Sequence, residues 1–200
     1  MSGFSTHTGT LAVLPGDHVD TDRIIPARFL SKVSKAGYGE LAFADVRGGD
    51  FALDQPEALG ASILVVGTNF GCGSSREHAV WAIQQAGFSV IIARTTSETA
   101  GYSDIFRQNA ANCGLLLLEL DESPHAKFVA AGSGATSTVD LENCRIELGS
   151  ETIPFRVLEA TRLQIIRGLD LIGTTLEHGA AIDAFEKNMV TFVPAKESLV

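Results

Sequence analysis

An α/β fold, with a parallel sheet core flanked by helices and an additional antiparallel β portion, is predicted by three observations. First, uninterrupted apolar runs alternate with helix-like segments between residues 61 and 120: ASILVVG (61–67), SREHAVWAIQQA (75–86), FSVIIA (88–93), SETAGYSDIFRQNAAN (97–112) and LLLLEL (115–120). A strand covered on both faces needs no polar positions, so such runs read as a parallel sheet between helix layers. Second, STVDL, CRIEL and TIPFRV, beyond residue 136, are short and alternating, the pattern of antiparallel strands with one solvated face. Third, no internal repeat or low-complexity block interrupts the chain. Residues 1–200 therefore read as a single domain, long enough to bury about 70% of its extended surface.

The elements follow in order. THTGTLAVL (6–14) alternates as a first strand, stopped by Pro15-Gly16, and is expected to join the antiparallel patch. In DHVDTDRIIPARFLSKVS, Asp20 and Asp22 fall in a turn-rich stretch, and Pro26 suits the first turn of a short helix through about Val33. Residues 36–60 are punctuated by glycine and poorly periodic, which predicts a long loop; loops of that length in compact domains are often functional. PHAKFVAA predicts one more helix, AGSGATST (131–138) a flexible connector, and ATRLQIIRGL and TLEHGAAIDAFEKN closing helices.

Composition excludes several functions. Net charge is −9, which opposes nonspecific nucleic-acid binding, although local arginines can still hold an anionic substrate. No stretch approaches the ~20 apolar residues that span a bilayer, and MSGFSTHTGT lacks the basic and apolar regions of a signal peptide, so a cytoplasmic protein is expected. Mean hydropathy of +0.18 without a long apolar run hints at a permanent interface. Cys72, Cys113 and Cys144 are widely spaced with no C-x-x-C pair, which reads as buried spectator thiols and not a disulfide or cluster framework. His7, His18, His125 and His178 show no metal-site spacing.

FGCGSSREHAVWAI (70–83) carries the chemistry. Gly67 to Gly73 has the wrong spacing for a phosphate-binding P-loop and no lysine follows, while Arg76 stands at the third glycine position of G-x-G-x-x-G. A strand–glycine loop–helix order still points backbone N–H groups at an anion. Ser74-x-x-Glu77 reads as a capping box, with Ser74 at the N-cap and Glu77 reaching back. That cap leaves Asn69, the Gly71-Cys72-Gly73 run and Arg76 unexplained. Among the neighbours, Asp20 reads as an Asx-turn, Arg28 as either a carboxylate ligand or a helix end, and His78 as a packed or surface histidine.

FGCGSSREHAVWAI resembles the signature of the swivelling domain of the aconitase superfamily, and DHVDTDRIIPARFL resembles that domain's N-terminal motif. YSDIFRQNAANCGLL and RGLDLIGTTLEH match two further blocks, so the resemblance runs nearly end to end and is similar to small subunits of the isopropylmalate isomerase family. It implies a swivelling β/β/α domain and a heterodimer, in which a large subunit carries a [4Fe–4S] cluster and this chain binds no cofactor or metal. It further implies reversible dehydration of a small dicarboxylate in leucine biosynthesis. Carried over by motif position, Ser74 is the base, Arg76 binds a substrate carboxylate and Asp22 completes the catalytic group. Ser75, Arg28, Phe29 and Leu30 fall to substrate binding.

Val80 stands where many relatives carry proline, and the 97–114 block departs from its usual form. No arginine occurs at Leu30, Ser31 or Lys32, which suits an isopropyl group better than a third carboxylate. Alternatives left open by these residues are a hydro-lyase subunit for homoaconitate, citraconate or dimethylmaleate, and a non-catalytic anion-binding domain of the same fold.

Overall fold

A computed structural model of the protein describes residues 3–74 and 76–189. The chain divides into two compact units, Met1–Asp170 and Leu171–Val200. The first contains a seven-stranded sheet in the order β4-β3-β2-β1-β5-β6-β7. Strands β1 (Thr6–Val13), β2 (Ile63–Val66), β3 (Val90–Thr95) and β4 (Leu116–Asp121) run parallel. Strands β5 (Thr136–Asp140), β6 (Arg145–Leu148) and β7 (Glu151–Pro154) extend the sheet antiparallel from β1.

Periodicity matches placement. All four residues of β2 are buried, as a strand between two layers requires, whereas β5 and β6 alternate buried and more exposed positions. One face of the sheet, including Leu64, Val66, Ile91 and Ala93, packs on α2 (Glu77–Gln85) and α3 (Asp104–Cys113) through Val80, Ile83, Phe106 and Ala110. Ile63, Val65, Val90, Ile92, Leu116 and Leu118 point to the opposite face, where Phe128 of α4 (Glu122–Ala131) and Ile165 of α5 (Glu159–Arg167) join them. The α/β class, the parallel core and the antiparallel addition containing β1 are all present.

Several boundaries differ from expectation. The helix expected from Pro26 to Val33 is instead α1 (Thr21–Ile24), ahead of the proline, followed by a single 3₁₀ turn at Ala27–Phe29. Ile25 is extended (φ −141°, ψ 105°), as crowding by a following proline ring demands, so Pro26 divides the two turns. Residues 36–60 contain no α-helix or strand, but three 3₁₀ turns (Gly39–Leu41, Ala52–Asp54 and Pro56–Ala58) carry Tyr38, Phe43, Leu53 and Ala58 into the core. The connector after residue 131 is short, because β5 already begins at Thr136. The helix expected from residue 97 starts at Asp104, where the Ser103 hydroxyl caps it. Residues 100–101 instead receive the N–H groups of Asn69 and Phe70, at 2.9 and 2.8 Å.

In the second unit, residues 171–189 form α6 (Leu171–Leu176) and α7 (Gly179–Asn188), so the last predicted helix is two helices broken at Glu177-His178.

Candidate active site

Two segments leave the C-terminal ends of β1 and β2 and keep pairing beyond the sheet. His18 N–H donates to the Thr68 carbonyl at 2.9 Å, Gly71 N–H to Val19 at 2.8 Å, and Thr21 N–H to Cys72 at 3.0 Å. The Asp17 carboxylate accepts the Thr68 N–H at 2.6 Å and two bonds from Arg94, at 2.8 and 3.0 Å. The Thr68 N–H, with Arg94 beside it, holds the Asp17 carboxyl below its ordinary range. Residues 17–22 and 68–76 thus form one clamped loop pair at the end of adjoining parallel strands, where α/β folds commonly place their ligands.

Backbone conformation explains the glycines. Gly71 (φ 73°) and Gly73 (φ 81°) both lie in the left-handed region that side chains disfavour. Space is a second reason at Gly71, where a Cβ would sit 2.3 Å from Cγ of buried Phe106; at Gly73 the nearest atom would be Asp20 Cβ, at 3.5 Å. These turns bring Ser74 over the start of α1. Asp20 caps that helix by accepting the Arg23 N–H at 2.7 Å, three residues on, an N-cap in place of the expected Asx-turn.

Of the residues implied by the motifs, three come together. Arg76 and Asp22 form an ion pair, and exposed Ser74 lies with its Oγ 3.3 Å from Oγ1 of Thr21, the residue between the two aspartates. The capping box is not formed. The N-cap position of α2 belongs to Arg76, in extended conformation (φ −74°, ψ 137°), whose side chain makes no cap hydrogen bond, and Glu77 is its first residue. Three residues separate the left-handed Gly73 from Glu77, which leaves Ser74 outside the helix. Its hydroxyl is free of a capping duty.

Other implied residues sit apart from that trio. Arg28 is ion-paired with Asp45, with its Nη1 2.9 Å from the second carboxylate oxygen, and its guanidinium lies 4.5 Å from the Phe29 ring centroid. Phe29 and Leu30 pack half-buried against the core. Ser75 lies outside the described residues. His78 packs among aromatics, edge-on to Tyr38 at 5.5 Å and tilted against Trp81 at 4.7 Å by ring centroids, as a packed histidine should.

The three thiols are half-buried and not fully buried as expected. They belong to separate elements: the site loop (Cys72), the end of α3 (Cys113) and the turn between β5 and β6 (Cys144). Burial, then the charge of Asp20, pushes the Cys72 thiol up; burial, then Glu77, raises Cys113 to about 11, so both are poor thiolates at neutral pH. Among the described residues no three His, Cys, Asp or Glu side chains are placed to hold a metal ion. The residues present do not fit an iron–sulfur cluster.

Two residues at this site were not singled out by their sequence. Thr21 is fully buried beneath Ser74, and Asp17 anchors the loop pair. A hydroxyl between two aspartates in DTD was the available signal for the first; for the second, it was an aspartate directly after a Pro-Gly strand end.

The Aconitase C-terminal domain family matches residues 1–123. The chain is 41% identical to a 3-isopropylmalate dehydratase small subunit of Kocuria rhizophila, over 97% of this chain and 96% of the relative. It is 43% identical to that of Shewanella amazonensis, over 94% and 98%. A crystal structure of 3-isopropylmalate dehydratase from Methanocaldococcus jannaschii superposes with a TM-score of 0.65 at 27% identity, covering 90% of this chain and 99% of the other. With its family match, its full-length relatives and its superposed fold in agreement, the chain belongs to the aconitase C-terminal domain family and, within it, to the 3-isopropylmalate dehydratase small subunits.

Proposed function

We propose that the chain is the small subunit of a heterodimeric hydro-lyase that interconverts 2-isopropylmalate and 3-isopropylmalate, by dehydration and rehydration, in leucine biosynthesis. Residues 1–200 act on this reading as one swivelling domain, in the cytoplasm; no helix among the described residues is long and apolar enough to cross a membrane. The large subunit is the partner, and it holds the [4Fe–4S] cluster.

One observation carries the assignment of roles: a solvent-facing serine, free of helix capping, shares a clamped loop pair with an arginine held by a carboxylate. Dehydration removes a proton from the carbon next to a carboxylate and a hydroxyl from its neighbour. Ser74 Oγ, as the alkoxide left when its own proton passes to solvent, takes the proton. Arg76 grips the carboxylate beside the carbon being deprotonated, where negative charge grows as the proton leaves. Asp22 orients the Arg76 guanidinium before substrate arrives. Ser75 and Arg28 bind the substrate, Arg28 exchanging Asp45 for its distal carboxylate. Phe29 and Leu30 supply the apolar wall for the isopropyl group. No step on this chain runs through iron.

Kinetics of Ser74→Ala in the reconstituted heterodimer test the reading. Turnover of the folded heterodimer should fall on the order of 10²-fold or more, since a general base contributes 10²–10⁴, while the melting temperature falls only by what the lost Thr21 contact costs, because no helix cap is lost. Normal turnover would remove Ser74 from catalysis.

A further inference from the structure

We infer that Thr21 is a positioning residue for Ser74: its buried hydroxyl donates a hydrogen bond to Ser74 Oγ, aiming the serine and stabilising it as it loses its proton. The inference deepens the proposed role of Ser74 as the base and rests on it.

Thr21 is 0% exposed, so its O–H cannot turn to solvent. Among the described residues, Ser74 Oγ, at 3.3 Å, is the one hydrogen-bond partner of that hydroxyl. A buried donor left without an acceptor is costly, whereas exposed Ser74 can exchange its own bonds with water. The hydrogen between the two oxygens is therefore contributed by Thr21. Ser74 accepts it, which leaves the exposed serine's own hydrogen directed to solvent, to which it passes as the alkoxide forms. A hydrogen bond donated to an oxygen strengthens as that oxygen becomes anionic, so the contact favours the alkoxide over the hydroxyl.

The backbone holds Thr21 rigidly for this task. Its N–H donates to the Cys72 carbonyl at 3.0 Å, its carbonyl accepts the Ile25 N–H at 2.9 Å, and Asp20 caps the helical turn that it begins. On the opposite segment only Gly73 separates Cys72 from Ser74, and its left-handed backbone folds Ser74 back over Thr21. β-Branching further limits the rotamers available to the Thr21 hydroxyl.

Thr21→Val, Thr21→Ala, Thr21→Ser and Ser74→Ala are compared in the full heterodimer by steady-state kinetics and thermal melting. Loss of one hydroxyl donor should lower kcat about 10–100-fold in the Val and Ala variants, with KM within about twofold, and Thr21→Ser should recover most of the turnover. Parental kcat in Thr21→Val or Thr21→Ala, with Ser74→Ala inactive, would overturn the inference and leave Ser74 as the base. Losses that appear in KM, or that follow melting temperature without rescue by serine, would show only a structural role and overturn it too. An active Ser74→Ala would overturn both readings.

Discussion

Gly71→Ala tests whether the site loop is shaped by steric necessity. At φ 73° an alanine pays the left-handed penalty of about 1–2 kcal/mol. Its Cβ would also lie 2.3–2.8 Å from three atoms of the Phe106 ring. That ring cannot yield easily: Phe106 is fully buried, edge-on to Phe70 at 5.6 Å and stacked with Tyr102 at 6.2 Å. Overpacking of this kind costs about 1–3 kcal/mol, so the total is about 2–5 kcal/mol. Gly73→Ala is the matched control, with a similar φ of 81° and no atom nearer than 3.5 Å, and should lose only the conformational term. Urea unfolding of the full chain, followed by circular dichroism, reads the difference. With a slope of about 2–3 kcal/mol per M, the extra 1–3 kcal/mol lowers the Gly71→Ala midpoint by roughly 0.3–1.5 M relative to Gly73→Ala. Equal midpoints would refute the claim that Phe106 dictates glycine at this position.

Arg76→Lys should raise KM more than it lowers stability, because lysine keeps charge but loses the two-pronged grip on a carboxylate, and the half-exposed pair with Asp22 is worth only ~0–1 kcal/mol; kinetics and melting of one preparation separate the two. The Asp17 carboxyl is lowered on folding, so its stabilisation is present above the ordinary carboxylate range near pH 4 and is lost as pH falls through the lower folded value. Asp17→Asn should therefore melt lower than the parent at pH 7 and lose less on acidification, and parallel melting curves from pH 7 to pH 3 would contradict this. If Phe29 and Leu30 wall the isopropyl group, shortening the alkyl chain should cost about 1–3 kcal/mol of transition-state binding per methylene, and a charged third carboxylate should be rejected more strongly. Turnover of homoisocitrate as fast as isopropylmalate in a substrate panel would refute that pocket.

Patterns decided by burial were legible in the sequence. Unbroken apolar runs marked β2 and β3, alternation marked β5 to β7, and the motifs singled out Ser74, Arg76 and Asp22, which the fold brings close. What stayed hidden was decided by contacts between distant segments. Ser74-x-x-Glu77 satisfies the cap pattern locally, yet pairing of residues 17–21 with 68–72 draws the loop out past Ser74, and α2 starts at Glu77. Thr21 is inconspicuous alone and matters through a partner 53 residues away. Ser97 to Tyr102 have helix-compatible residues, but the N–H groups of Asn69 and Phe70 claim carbonyls there, and the helix waits for the Ser103 cap.

Strand β1 divides its partners along its length: Leu11–Val13 register with β2, and Thr6–Thr10 register with β5. During synthesis the first partner arrives long before the second. Ile63 opposes Leu11, whereas Thr136 opposes Thr10, so 73 further residues must be made before the antiparallel half can close. At 5–20 residues per second the wait is about 4–15 s. Throughout it, one edge of β1 is an unpaired row of backbone donors and acceptors, open to pairing with another nascent chain. The waiting stretch reads Thr-His-Thr-Gly-Thr, while the strand's apolar residues fall in the half that is covered early. Its polarity is a safeguard on the ribosome, and replacing those threonines with valine or isoleucine should lower soluble yield even where the finished sheet tolerates them.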